Sequence, residues 1–389
     1  MSTNCKAAPM IFQRFVPVYL LLAISFPGLA QEKKPDPSDA FFKHPGSKMP
    51  IVEITTTKEA EESLKREPRK DVACDIKIGD IQLKKVAIHI KGAAGSTRAW
   101  TDRPGLTLNT EKLGEKQELH GLVKFHLNNG VQDGSYMNEL IANDLALAMG
   151  LPACRCTHAA VVLNGRHVGP YVFKEGFNKD WLKRNFKNAK GNLYDGGFLQ
   201  DIDANLKLDT GTPNDHADLK ALANACREPD ANKRYAKVSE LVNVDLLCTN
   251  AALQIITADW DGYFRNRNNY RVYFEPKGKA VFIPHGMDQL WRNPHEGWPG
   301  WGSMVGRAIL DHPEGKKLTI AKLKLAMEKH YNVAEMHKKI DMLVPRMKET
   351  LNATNNGNWA KSVENEANNF KNQLKQRYDH LSKEVPKFQ

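Results

Sequence analysis

The stretch DWDGYFRNRNNYRVYFEPKGKAVFIPHGMD, Asp259 to Asp288, decides how the rest of the chain is read. It opens with an acid- and amide-rich loop holding Asp259, Asp261, Asn266, Asn268 and Asn269. Two strand-like runs follow, Tyr270 to Glu275 and Ala280 to Pro284, and the second delivers a further acid, Asp288. A hairpin of this kind sets two acidic stations opposite one another across a cleft, where they can share a divalent cation. Phosphoryl transfer asks for that arrangement, because the protein's part in it is to position metal-bound phosphate and to orient the attacking hydroxyl. Acid-rich turns are also common as solvated loops. The neighbouring chain has to separate the two readings.

Upstream of the hairpin the pattern is mostly that of strands. PIVEITTT (50 to 57) is followed by a helix-like Lys58 to Arg66. Residues 75 to 92 then alternate around a Gly79-Asp80 turn and predict a hairpin. LTLN and LVKFHLNN add short strands, and residues 159 to 175 form a second hairpin around Asn164-Gly165, a strong two-residue turn signal. Between them Tyr136 to Met149 carries apolar residues at helical spacing and stops at Gly150, with Pro152 just beyond. From about Asp218 onward helices dominate, and 315 to 386 is helical in pattern almost throughout. Strands early and helices late predict an α+β protein with a strand-rich N-terminal lobe and a helix-rich C-terminal lobe, not a doubly wound sheet.

The ends of the chain read differently from its body. Lys6 and Arg14 precede an apolar stretch from Phe15 to Ala30 that closes on the small residues Gly28 and Ala30. This is the outline of a secretory signal peptide over 1–30, with cleavage near Ala30. Its core is too short and too broken by proline to span a bilayer, and no later stretch is apolar enough to do so. The expected location is therefore secreted or periplasmic, with no transmembrane segment after cleavage. Residues 31–49 are Pro-rich and charged and read as a linker. The formal charge is +11, and taking away Lys6 and Arg14 leaves +9. A basic exported protein favours acidic or phosphorylated partners. Lys and Arg are scattered and not gathered into a stripe with aromatics, which argues against nucleic acid. Cys5 leaves with the signal, so Cys74, Cys154, Cys156, Cys226 and Cys248 remain, an odd set that suits structural thiols or a single disulfide. Cys154, Cys156 and His158 lie close in sequence, but their spacing fits no common zinc pattern.

Six segments in order resemble the CotH kinase family, the spore coat protein H-like atypical kinases of secreted bacterial type. They are KGAAGSTR (91 to 98), the run from His120 to Ala153, VVLNGRHVGPYVFKEGFNKDWLKRNF (161 to 186), GNLYDGG (191 to 197), ADWDGYFRNRNNYRVYF (258 to 274) and VFIPHGMDQLW (281 to 291). The resemblance covers about Ile51 to Leu343. It implies a divergent bilobal protein-kinase fold with ATP between the lobes, over a kinase-like domain of 50–350 followed by a C-terminal helical extension, 351–389. It also implies Mg²⁺ as cofactor and a protein of the envelope or extracellular space as substrate, phosphorylated on Ser or Thr.

Carried onto this chain, the resemblance makes Asp261 the counterpart of the catalytic-loop aspartate. Asn266, five residues later, reproduces a D-x-x-x-x-N spacing that places an amide on the metal, with Asn268 and Asn269 as competing candidates. Asp288 matches the metal-holding acid at the strand end. A carboxylate and an amide oxygen are hard ligands that suit Mg²⁺. Gly92, Gly95 and Ser96 are candidate phosphate-loop residues, although G-x-x-G-S is neither a P-loop nor a full G-x-G-x-x-G. Glu139, on the helix after the loop, is placed to pair with a phosphate-binding base, and Glu175 is an alternative for that task. The family's lysine falls near Thr107, where Lys91, Arg98, Arg103 or Lys124 would have to stand in. His285-Gly286 replaces a Trp-Asp pair. A catalytically degenerate kinase-fold surface protein is the second reading, with a protein or a carbohydrate as candidate partner, the latter stacking on Trp298 and Trp301 in an exposed-looking run. A metal-dependent glycosyltransferase built on Asp259-x-Asp261 would need a preceding parallel-sheet pattern that is missing, and no G-x-S-x-G or H-E-x-x-H supports a hydrolase.

Overall fold

Seven strands close on themselves as a barrel, in the order β1-β2-β3-β4-β5-β7-β6. They are β1 (Ile51–Thr55), β2 (Val72–Ile78), β3 (Ile81–Lys91), β4 (Gly105–Asn109), β5 (Lys124–Asn128), β6 (Cys156–Leu163) and β7 (Arg166–Glu175). The structure, a computed structural model, describes residues 1–2, 36–43 and 48–388. The expected signal segment, apart from its first two residues, lies outside the described residues. Closure depends on β1, which runs antiparallel to β2 and parallel to β6, with Ile51 opposite Ala160 and Ile54 opposite Leu163. Inward-facing Val52, Ile88, Leu106, Leu108, Phe125 and Phe173 fill the interior. The alternate residues face outward, and the register lines up His89, Thr107, His126 and Lys174 in one row across β3, β4, β5 and β7.

Helices α1 (Asp39–Phe42), α2 (Lys58–Arg66) and α3 (Asn138–Ala148) pack on the barrel. Within the expected linker, Asp36 to Lys43 has structure of its own. Arg155 pairs there with Asp39 at 2.6 Å, and Phe41 packs edge-on against Phe173. Arg155 and Arg184 also bind Glu175, which removes that acid from the site described below.

The remaining elements are α4 (Lys179–Asn185), β8 (Asn192–Asp195), β9 (Lys207–Thr210), α5 (Ala217–Cys226), α6 (Ala231–Leu241), α7 (Val244–Thr257), α8 (Tyr263–Asn266), β10 (Tyr270–Phe274), β11 (Ala280–Pro284), α9 (Met304–Leu310), α10 (Pro313–Lys329), α11 (Val333–Ala353) and α12 (Gly357–Glu384). The predicted hairpin is present, with Tyr270 opposite Pro284 and Phe274 opposite Ala280, inside a sheet ordered β11-β10-β8-β9. The protein is thus mixed α+β, strand-rich first and helical later, as its pattern predicts. Residues 36–389 form one compact unit.

Two supports aim the hairpin loop. Helix α7 starts on an Asn243 cap, is buried along most of its length, and ends at Ala258 in a left-handed conformation that turns the chain into Asp259. Helix α12 packs Phe370, Leu374 and Leu381 into the same core. Its fully buried Arg377 donates to the carbonyls of Ile256, Pro294 and Glu296, tying the end of α7 to the loop before α9. That loop holds Trp298 and Trp301. Of the two readings open to that run, a stacking surface or a packed loop, the packing is that of the loop: Trp301 is buried and Trp298 is packed against it and against Phe388. Among the described residues the five cysteines are free thiols, four of them buried. Cys154 and Cys156 belong to core clusters, and His158 bonds the carbonyl of Tyr136.

Candidate active site

Asp261 sits at the centre of an amide cage. Its Oδ1 accepts from the side chains of Asn266 at 2.9 Å and Asn268 at 2.8 Å, and its Oδ2 accepts from Asn269 at 2.9 Å. The one-turn helix α8 and the turn after it bring these three residues back onto the carboxylate. Arg267 and Asn269 take positive φ to do so, a strained backbone for side chains of that size. Gly262 is needed where the loop folds tightly, because a β-carbon there would run into Asp259 and Gln254. A carboxylate held by three donors is fixed in direction, and it is left partly exposed.

Asn269 also links the loop to the strand end opposite. Its carbonyl accepts from the amide of His285 at 3.0 Å, and a β-carbon at Gly286 would strike its side chain. The lack of a side chain at Gly286 is therefore what lets Asn269 and Asp261 pack here. The imidazole of His285 turns the other way, and its Nδ1 accepts from Lys174 Nζ at 3.1 Å. Lys174 forms an ion pair with Glu139 of α3, and neither side chain is more than 1% exposed. The second oxygen of Glu139 accepts from the side-chain nitrogen of Asn128, whose side-chain oxygen accepts from Lys91. One continuous set of hydrogen bonds thus runs from Asp261 through Asn269, His285 and Lys174 to Glu139.

Electrostatics follow from that set. Burial disfavours the Glu139 carboxylate, but Lys174 and Lys91 outweigh it and hold its pKa below the ordinary value. Burial likewise opposes the Lys174 charge, and Glu139 overcomes it, raising the pKa to about 12. Lys91 has no direct carboxylate partner, and burial lowers it to about 8. His126 and His285 are driven well down by burial and by the surrounding lysines, so both rings are neutral and able to accept. Asp288 is pushed up to about 7 by burial and by the nearby charges of Glu139 and Asp133. A largely buried carboxylate repelled by two others is a poor anion alone and a good ligand for a cation.

Asp288 and the amide oxygen of Asn266 are hard donors of the kind Mg²⁺ takes, so the residues present fit that ion. Asn268 is less available, because its oxygen already accepts from the amide of Leu199 at 2.5 Å. Among the described residues no group of three or more His, Cys, Asp or Glu is placed to hold a metal on its own. Gly92, Gly95 and Ser96 form the turn after β3, with φ of +125° and +84° at the two glycines. Ser96 is tied back locally, its hydroxyl accepting from the Ala93 amide and its carbonyl from Asn129.

Of the residues singled out from the sequence, Asp261 and Asn266 meet in the loop cage and Glu139 lies at the other end of the hydrogen-bond chain; Lys174 and His285, which join the two ends, were not singled out for it. Of the substitutes considered, Arg103 is occupied by the carbonyls of Val168 and Pro170 and by the ring of Trp359, and Arg98 by the carbonyls of Gly95 and Thr97. Lys174 lies beside Glu175 in a strand whose burial pattern no local rule marks as polar.

Asp259, buried at the start of the loop, accepts from the Asp261 amide at 3.1 Å. Burial and the Asp261 charge raise its pKa from 3.8 to about 7, with Arg265 and two backbone N–H groups opposing. The folded state therefore keeps a proton that the unfolded chain gives up, and stability is lost as pH rises from about 4 to about 7. Asp259→Asn keeps an acceptor and removes the titration. Denaturant unfolding across that range is expected to show the variant gaining on the wild type by up to about 4 kcal/mol at neutral pH. Identical pH dependence in both proteins would show that Asp259 ionises without cost.

The sequence pattern of the family described as CotH kinase protein matches residues 88–381. Two fungal proteins of Rhizopus delemar are similar. Invasin CotH3 is 26% identical over 186 residues, covering 42% of this chain and 31% of its own. Invasin CotH7 is 21% identical over 240 residues, covering 54% of this chain and 40% of its own. The chain thus spans well under half the length of either relative. Among solved structures, the HipA, HipB and operator DNA complex of Shewanella oneidensis aligns with a TM-score of 0.39 and 16% identity, over 77% of this chain and 67% of that one.

Proposed function

Because this chain belongs to the CotH kinase protein family and is kinase-like, we propose that it is an exported kinase transferring the γ-phosphoryl group of ATP to Ser or Thr of envelope or secreted proteins, with Mg²⁺ as cofactor. The barrel and the helical body serve as the two lobes of a divergent protein-kinase scaffold, with the nucleotide between them. Support for export comes from the Lys6 and Arg14 start and the apolar run to Ala30.

The observation that carries the reading is the buried Lys174–Glu139 pair, joined through His285 and Asn269 to Asp261. A strand lysine paired with a helix glutamate is the device by which kinases hold a phosphate-binding base in place. In this chain the lysine comes from β7, and the pair couples the barrel wall to the acid-bearing hairpin. Asp261, oriented by its three amides, accepts the hydroxyl proton or directs the hydroxyl toward phosphorus. Asp288 and Asn266 hold the metal end of the nucleotide. A bound Mg²⁺ supplies charge neutralisation at the β- and γ-phosphates.

Calorimetric titration of the full chain with Mg-ATP tests this. The wild type is expected to bind, and Asp288→Ala to lose at least 100-fold in Mg²⁺-dependent affinity. Unchanged affinity in that variant would remove Asp288 from the metal site and with it the nucleotide reading.

A further inference from the structure

Few large apolar side chains are exposed among the described residues, and three of them lie on the two stretches of chain tied to Asp261. Phe198 is 56% exposed, Leu199 45% and Trp260 42%. Trp260 is the immediate chain neighbour of Asp261. Leu199 arrives from the segment after β8, and its amide donates to the Asn268 oxygen while the nitrogen of the same side chain holds Asp261 Oδ1. Two separate stretches of chain are therefore anchored to one carboxylate, each presenting an apolar side chain to solvent. Leu199 is also held at φ +55°, a conformation that a branched residue adopts only when its surroundings impose it. The hydrogen bond to Asn268 is that imposition. The position of Leu199 and the aim of Asp261 are set by the same amide.

Exposed apolar surface costs solubility and is kept where something covers it. The nucleotide is a poor candidate for covering it. A base needs an enclosed apolar slot, whereas Phe198, Leu199 and Trp260 are about half open, and the cationic end of the site at Lys174 and Lys91 lies at the other end of the hydrogen-bond chain. The covering group has to arrive together with the hydroxyl that Asp261 orients.

We infer that Phe198, Leu199 and Trp260 form the acceptor-docking platform, and that the substrate is an extended polypeptide segment carrying a bulky apolar side chain close to its Ser or Thr. The inference rests on the kinase reading for the role of Asp261, but the platform binds peptide whether or not transfer follows. Acceptors with only small or charged residues around the hydroxyl lack the group that fills this surface and dock weakly.

The test uses the full chain and a Ser-centred peptide array in which each flanking position is Ala, Lys, Leu or Phe, read by binding affinity and, in parallel, by phosphoryl transfer with Mg-ATP. Apolar-flanked peptides are expected to bind at least 10-fold more tightly than their Ala or Lys counterparts. Trp260→Ser and Leu199→Ser should each erase most of that preference while leaving Mg-ATP affinity unchanged. If apolar peptides bind with this preference and none is phosphorylated, the platform stands and the kinase reading falls. If peptides bind or react without regard to the apolar flank, or if Trp260→Ser weakens all of them equally, the platform is overturned whatever the nucleotide does. Circular dichroism and thermal unfolding of both variants check that they are folded, and Phe198→Ser supplies a third variant on a side chain outside the Asp261 hydrogen bonds.

Discussion

Lys174→Met is expected to lower the stability of this protein by about 3–5 kcal/mol, and at the same time to abolish Mg-ATP binding. The first effect comes from Glu139. Its carboxylate is 1% exposed, and Lys174 is the cation that keeps it ionised. Without that partner the buried charge must either take up a proton or draw in water, and both cost free energy. His285 loses its donor as well, which loosens the contact between β7 and the end of β11. For a chain of this size the loss corresponds to a fall of roughly 4–6 °C in Tm.

A second variant separates structure from function. In Lys174→Met/Glu139→Leu both charges are gone, and an apolar pair of similar volume recovers much of the stability, because the burial cost of two ions disappears with their attraction. Nucleotide binding is not expected to return, since no ammonium remains at β7. Thermal unfolding and calorimetry on the same two samples give the answer. Mg-ATP binding by the refolded double variant at wild-type affinity would show that Lys174 is a strut and that another base, Lys91 foremost, meets the phosphates.

Asp261→Asn carries the other large effect. Phosphoryl transfer to a Ser-containing peptide is expected to fall by about 10³-fold, in the range found when a positioned general base is removed. Mg-ATP affinity should stay within about threefold of wild type, since binding is assigned to Lys174, Asp288 and Asn266. The amide keeps the size of the side chain but can accept through one oxygen only, and its nitrogen faces a donor from Asn266, Asn268 or Asn269. The loop then loses its aim as well as its base. Single-turnover measurement with bound nucleotide isolates this step from product release. A wild-type single-turnover rate would place the hydroxyl somewhere other than Asp261.

The two variants draw on different parts of the chain's legibility. Asp261 was readable because the three amides that hold its carboxylate lie within eight residues, and the acid, the amides and the glycine turn follow one another in order. The β10–β11 hairpin was readable for the same reason, as were α2 and the stop of α3 at Gly150. Lys174 was not. Its partner Glu139 lies on another element, and the strand around it, VGPYVFKE, has the composition of a core strand in which one lysine reads as a surface residue. Only the register across β5 and β7, which sets His126 opposite Lys174, shows that this face of the barrel is polar and covered. Glu175 illustrates the converse. It looked equivalent to Glu139, but strand alternation points it to the opposite side, where Arg155 and Arg184 take it.

By itself, then, the sequence determined the elements, their α+β order, the family and the acid-and-amide loop at Asp259–Asn269, because propensity, turn chemistry and hydrophobic period act over a few residues. Tertiary structure alone decided that β1 closes the barrel against β6, that Lys174 supplies the base for Glu139, and that His285 and Gly286 fit where an acid was expected. Each of those depends on segments far apart in the chain meeting at a definite register and distance. Such meetings are set by packing of the whole core, and no local pattern of residues encodes them.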